Sequence, residues 1–339
     1  MTTLRTVRHR RSGLRPAILV AGATAGAALL VRQAARRAEK EYPPEGKFLT
    51  VNGVRLHYTD TGGFGTALVL LHGNGMTNAD WRRSGMTERA ASHYRVIAFD
   101  RPGFGYSDRP RGQPWTPDAQ AELIHAALTQ LGIAQPVIVG HSWGALVAAA
   151  YAIRNPVALR GLVLISGYYF PTFRSDAIMS SPVAIPVLGD ALRYTISPLI
   201  GWLTSPTLIK TLFAPVPVPE RFSKNFPLSI ALRPGQLRAA AVEATTMVPA
   251  AAALQDSYRS IRVPTAIVAG DADQVADVRR QSLRLHELLP QSRLWLLRGA
   301  GHMAHYASPG AVFDAIDYVA GRAALAWGRG LARVSQAGR

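Results

Sequence analysis

Two rhythms of apolar and polar positions run along this chain. Short, mostly apolar runs recur at Ala67–Leu71, Arg95–Phe99, Val137–Val139, Leu162–Ile165, Thr265–Ala269 and Arg293–Leu297. Runs of that length bounded by turn residues predict strands buried on both faces. Upstream, Phe48–Val51 and Val54–Thr59 joined at Asn52-Gly53 predict a β-hairpin with a type I′ turn. Longer stretches between the runs predict helices. Thr116-Pro117-Asp118 supplies a capping oxygen, a proline at the first position and an acid in the first turn of a helix that runs to Leu131. Ala145–Ile153 predicts an alanine-rich helix ending before Pro156, another helix starts at Asp277 or Val278 and ends at Pro290, and Ser308-Pro309 caps the last.

The alternation of strand and helix breaks between Gly167 and about Tyr258. Eleven prolines, many apolar residues and no strand signal there predict a helical cap inserted after the sixth strand. Tyr168, Tyr169, Phe170, Trp202 and Phe213 are candidates for the roof of an apolar pocket, although burial in the cap itself explains such residues equally well. These breaks divide the chain into a basic leader over 1–41, a core over 42–167 and 259–321, a cap over 168–258 and a basic tail over 322–339.

The leader carries one uncharged run, Pro16–Val31, between Arg15 and Arg32. As a helix it would reach about 24 Å, short of a hydrocarbon core of about 30 Å unless the flanking arginines snorkel. An uncleaved membrane anchor over 16–31, with the domain that follows it extracytoplasmic, is the expectation. A cleaved signal is the alternative, since His9–Arg15 loosely resembles a twin-arginine signal, and a surface helix is the third reading. Tyr42–Gly46 then reads as a stiff linker.

Charge changes the picture little. Of the seventeen net positive charges, eleven sit in the leader and the tail. The six left on the body match no helix-turn-helix, RNA-recognition or zinc pattern, so no nucleic-acid partner is expected. With no cysteine the chain forms no disulfide and offers no thiolate nucleophile or metal ligand. A core of ordinary size is within reach of 339 residues, 48% of them hydrophobic.

The candidate chemistry lies in Gly140-His141-Ser142-Trp143-Gly144, a G-x-S-x-G placed between a strand and a helix. A chain reversing that sharply forces its central residue into strained angles, and glycines two residues away on either side leave room for it. Ser142 is then exposed at the apex, and the Trp143 N–H at the helix start is free for a developing oxyanion. An acid-bearing loop, Gly270-Asp271-Ala272-Asp273, and a histidine loop, Gly299-Ala300-Gly301-His302, each follow a strand, giving the order Ser, Asp, His.

With His72-Gly73-Asn74-Gly75 and the loop Asp100–Asp108, these motifs resemble the α/β-hydrolase family, in its cofactor-free esterase, perhydrolase and C–C-hydrolase-like branch. The resemblance covers roughly Phe48 to Ala320. It implies a mostly parallel eight-stranded sheet flanked by helices, with no cofactor and no metal. It further implies Ser142 as nucleophile, His302 as base and Asp273 as the acid that orients it, with Asp271 the runner-up, and an oxyanion hole from Asn74 and Trp143. His72 is expected to orient its loop, His141 to shape the pocket, and His305 to lie too far along the loop to act as base. Serine at position 142, where related dehalogenases and epoxide hydrolases carry Asp, excludes their alkyl-ester route. The expected partner is a small lipophilic acyl substrate, cleaved at an ester bond. C–C bond hydrolysis on the same scaffold and non-catalytic ligand binding are the alternatives, and oligomeric state is left open.

Overall fold

The computed structural model describes residues 14–322. Eight strands form one sheet: β1 (Lys47–Val51), β2 (Val54–Asp60), β3 (Ala67–Leu71), β4 (Arg95–Phe99), β5 (Val137–His141), β6 (Gly161–Ile165), β7 (Thr265–Gly270) and β8 (Ser292–Leu297), in spatial order β1-β2-β4-β3-β5-β6-β7-β8. The first two strands pair antiparallel, as do β2 and β4, and every other pair is parallel. Asn52 and Gly53 both take positive φ, 51° and 76°, as the primed turn of the hairpin requires. Alternation along the central strands decides which side each residue serves. Ile138 joins the apolar layer containing Trp143 and Leu146, while Val137 and Val139 join the opposite layer with Trp81 and Ile316.

Helices cover both faces. They include α1 (Leu14–Glu41), α2 (Pro117–Gln130), α3 (Trp143–Arg154), α4 (Ser175–Ala184), α5 (Ser197–Phe213), α6 (Pro234–Leu254) and α7 (Pro309–Val319). Thr116 caps α2 through its hydroxyl, which accepts from the Ala119 N–H at 3.2 Å. Ser308 stands at the start of α7 but its side chain makes no capping bond. The helix expected from Asp277 begins as a wide π turn over Arg279–Leu283 and ends at Leu288.

Helices α4, α5 and α6 lie in the insertion between β6 and β7. Of the five aromatics considered as a pocket roof, Tyr168, Tyr169 and Phe170 are buried, the last two against Tyr258. Phe213 packs with Phe222 and Tyr306, whereas Trp202 is 59% exposed. Helix α6 is tied to the core by an ion pair. Arg101 donates to Glu243 through both terminal nitrogens, at 2.6 and 3.0 Å, with both side chains fully buried. Gln120 on α2 completes the group, accepting from Arg101 and donating to Glu243.

The N-terminal expectation is overturned. No helix among the described residues is long and apolar enough to cross a membrane, so neither the transmembrane anchor over 16–31 nor the extracytoplasmic placement built on it stands. The uncharged run of α1, Pro16–Val31, is about 24 Å of helix. Beyond it α1 continues through Arg32, Arg36, Arg37, Glu39 and Lys40 and docks on the protein. Ala38 is buried, Arg32 lies over the Tyr194 ring, and Glu39 accepts from Arg233 at 2.8 Å. The linker Tyr42–Gly46 is held against the core. The Tyr42 carbonyl accepts from Tyr106 and the Glu45 carbonyl from His57 Nε2 at 2.7 Å. The twin-arginine-like stretch lies mostly, and the tail beyond Arg322 wholly, outside the described residues.

Removing one partner of the buried pair leaves the other charge uncompensated, which costs about 3–5 kcal/mol. Glu243→Ala is therefore expected to lower the unfolding free energy by about that much in urea titration, and Glu243→Gln by less.

Candidate active site

Strand β5 ends at the residue before Ser142, and α3 begins at the residue after it. Ser142 sits between them at φ 54°, ψ −118°, a region that non-glycine residues enter only under strain. The two flanking glycines are required sterically. A Cβ on Gly140 would lie 2.2 Å from the Gly144 carbonyl oxygen, and one on Gly144 would lie 2.2 Å from that of Leu71. Ser142 is itself pinned by its N–H, which donates to the Ile165 carbonyl at 2.9 Å. Its hydroxyl makes no hydrogen bond of ordinary geometry among the described residues.

Asp273, in the loop after β7, and His302, in the loop after β8, are brought together. His302 Nδ1 and Asp273 Oδ2 are 2.8 Å apart and both side chains are buried. The other oxygen of Asp273 accepts from the N–H groups of Val275 and Ala276 at 2.8 and 2.9 Å. A carboxylate so engaged can only accept from the ring, so Nδ1 carries the proton and Nε2 keeps its lone pair. Asp271 is used differently: it accepts from the Gly299 N–H at 2.7 Å and joins the two loops at their base.

Three further histidines surround these residues, and their partners distinguish them. His72 is fully committed, Nδ1 donating to the Gly73 carbonyl at 2.8 Å and Nε2 accepting from the Arg101 N–H at 2.9 Å. Burial, reinforced by the Arg101 charge, pushes its pKa down to about 3. His141 Nε2 lies 3.1 Å from the His302 carbonyl oxygen, which can only accept, so Nε2 bears the proton. Its ring lies 5.0 Å from that of His302, centroid to centroid. Burial, with His305 and His302 adding to it, holds His141 well below the usual imidazole value. The loop carrying His302 is thus tied to the residue that precedes Ser142. His305 pairs with Asp80 at 3.0 Å, on the far side of His141.

Asp80, His141 and His305 could each offer a ligand atom to a metal, these atoms lying within 4.8 Å of one another. All three are buried, and the Asp80–His305 hydrogen bond with the bond from Tyr306 to Asp80 at 2.8 Å accounts for the carboxylate. The Asn74 N–H, in the loop after β3, and the Trp143 N–H, at the start of α3, donate to no protein acceptor among the described residues. The Asn74 side chain donates to the Ala240 carbonyl of α6 at 3.1 Å.

Two supports were not foreseen in the sequence. Arg101 Nε donates to the His72 carbonyl at 2.7 Å, so the ion pair that holds α6 also holds the loop bearing Asn74. The signal was a single acid, Glu243, in an otherwise uncharged stretch of α6. Gln281 accepts from the N–H groups of Tyr169 and Phe170 and donates to the Phe170 carbonyl, fixing the chain as it leaves β6. Nothing in the local pattern announces that residue.

Comparison with known proteins gives the same picture of the fold. The 2-hydroxy-6-oxo-2,4-heptadienoate hydrolase of Pseudomonas putida is 29% identical over 265 residues, 76% of this chain and 89% of that one. Among solved structures, an esterase of Thermogutta terrifontis superposes with TM-score 0.63 at 24% identity, over 80% of this chain and 96% of that one. A meta-cleavage product hydrolase of Pseudomonas fluorescens superposes with TM-score 0.62 at 23% identity, over 80% and 97%. The sequence profile of the alpha/beta hydrolase family matches residues 68–315. That span runs from β3 into α7 and takes in the elbow and both loops, so the chain belongs to the alpha/beta hydrolase family.

Proposed function

We propose that this chain is a serine hydrolase that cleaves an ester or related acyl bond of a small to medium lipophilic substrate. Ser142 Oγ attacks the carbonyl carbon while His302 Nε2 takes its proton, and Asp273 stabilises the imidazolium that forms. The oxyanion accepts from the N–H groups of Trp143 and Asn74. Collapse of the tetrahedral adduct breaks the bond to the leaving group, His302 returns the proton to it, and water then repeats the sequence on the acyl-enzyme. The observation that carries this reading is the buried 2.8 Å bond between Asp273 and His302, joined through His141 to a serine at positive φ.

The lipophilic part rests on the cap. Ile178 and Met179 of α4 and Leu199, Ile200, Trp202 and Leu203 of α5 stand exposed, more apolar surface than a solvated cap needs. A second reading, C–C bond hydrolysis by the same three side chains, is favoured by the name of the Pseudomonas putida relative, a hydrolase of a dienoate.

A fluorophosphonate probe is expected to label the protein and not Ser142→Ala; label retained in that variant defeats the reading. Turnover of p-nitrophenyl acyl esters in the absence of turnover of ring-fission dienoates supports ester cleavage, and the reverse supports the second reading. Asp273→Asn leaves the base in the wrong tautomer and is expected to lower kcat by about 10³–10⁴-fold with KM little changed.

Burial of neutral His72 and His141 also sets a pH dependence of stability. Both take up protons less readily folded than unfolded, where the imidazole pKa is near 6.5. Their contribution is thus fully present above about pH 6.5 and is lost as pH falls below it, for His72 down toward about 3, at roughly 1.4 kcal/mol per unit for each ring. Urea unfolding between pH 7 and 4 measures it, and a flat profile would contradict it.

A further inference from the structure

A cavity of about 670 Å³ opens where α1 docks against the core, and neither Ser142, Asp273 nor His302 lines it. Six arginines do: Arg32 and Arg36 from α1, Arg55 from β2, Arg109 from the loop after β4, and Arg233 and Arg238 around the start of α6. Only Glu39 and Asp108 oppose them within the lining. Glu39 is engaged by Arg233, and Arg109 has a distant carboxylate partner in Glu243, 3.5 Å away. Arg32, Arg36, Arg55 and Arg238 make no ion pair among the described residues. Six like charges around one space repel unless an anion stands between them.

Two residues of the lining each carry a buried donor without a partner among the described residues. Arg109 is 5% exposed, and one terminal nitrogen donates to the Pro102 carbonyl at 3.0 Å while the other, Nη2, has no partner. Gln236 is 3% exposed; its Oε1 accepts from the Gly105 N–H and its Nε2 has no partner. Unpaired donors in such positions cost about 1–3 kcal/mol each unless something accepts from them. Desolvation also pulls Arg109 and Arg238 below the usual guanidinium range, a cost that a bound anion offsets.

The backbone adds to the same field. Helix α6 has 21 residues and starts at the cavity, where Pro234, Gly235 and Gln236 form part of the wall. Its N-cap, Arg233, makes no side-chain capping bond. The N–H groups of Gly235 and Gln236 have no carbonyl four residues back within the helix, and the positive end of the helix dipole faces the arginines. Planar guanidinium forks together with a helix start are the donor set that phosphate oxygens fit. The space exceeds a single phosphate and has Tyr106 and Tyr194 on its walls, Arg233 lying over the one ring and Arg32 over the other.

We propose that this cavity is a binding site for a phosphate-bearing small molecule with at least two negative charges, held between α1 and the start of α6. The site is separate from the proposed hydrolase centre and does not depend on it.

Isothermal titration of the full chain with pyrophosphate at low ionic strength tests the proposal. Saturable one-to-one binding is expected, tighter than for inorganic phosphate. Arg36 is exposed on α1 and Arg238 half-buried on α6, so Arg36→Ala/Arg238→Ala is expected to fold as the parent by circular dichroism and to weaken binding about tenfold or more. A soluble short-chain phosphatidate that displaces pyrophosphate assigns the phosphate to a lipid headgroup, and failure to displace assigns it to a free phosphate compound. Absence of saturable binding at millimolar pyrophosphate, equal binding by the double variant, or an equal effect of chloride at matched ionic strength overturns the proposal. Loss of probe labelling at Ser142 has no bearing on any of these outcomes.

Discussion

The chain turns from strand to helix at one residue, and that residue is a serine. At φ 54° and ψ −118° Ser142 occupies backbone space that costs on the order of 1–3 kcal/mol. The conformation holds because both sides of the turn are immobilised. Strand β5 lies between β3 and β6, and the residues of α3 from Trp143 to Ala152 are all buried. Two glycines make the crossing of strand, helix and the end of β3 sterically possible. Because β3, β5, β7 and β8 run parallel, their C-terminal ends open on one edge of the sheet. The loops carrying Asn74, Ser142, Asp273 and His302 therefore start from neighbouring points.

Burial alone does not decide what each histidine near this edge does. His72, His141, His302 and His305 are all buried, yet their hydrogen-bond partners make them different chemical groups. A backbone carbonyl and a backbone N–H consume both nitrogens of His72, and a carbonyl takes the only proton of His141. Asp80 takes the Nε2 of His305. His302 and His305 each set one nitrogen on a carboxylate and leave the other without a protein partner among the described residues, and they differ in the carboxylate that holds them, Asp273 in the loop after β7 for His302 and Asp80 for His305.

The helical insertion is mechanically continuous with the edge. Arg101 bridges Glu243 on α6 to the carbonyl of His72, and Asn74 reaches the Ala240 carbonyl on the same helix. A shift of α6 therefore reaches the loop bearing Asn74 through two short hydrogen-bonded paths. The arginine-lined cavity touches this arrangement at Arg109, whose Nη1 lies 3.5 Å from the same Glu243 oxygen that Arg101 holds. The position of α1 matters in the same way, since its second half forms a wall of that cavity and does not stand apart from the domain.

Much of this was legible in the amino-acid order because it is governed by local physics. Short apolar runs bounded by turn residues gave the strands, capping and stop residues gave the principal helices, Asn52-Gly53 gave the hairpin turn, and the spacing of Gly140, Ser142 and Gly144 gave the elbow, since each depends on neighbours within a few residues. What α1 docks against, that Glu243 meets Arg101 across 142 positions, that Gln281 pins Tyr169 and Phe170, and that Asp273 and not Asp271 reaches His302 were decided only by the packed chain. The reason is one of range. A buried charge or amide is satisfied by whichever partner the fold delivers to it, and an apolar run flanked by arginines carries the same pattern whether lipid or protein covers it.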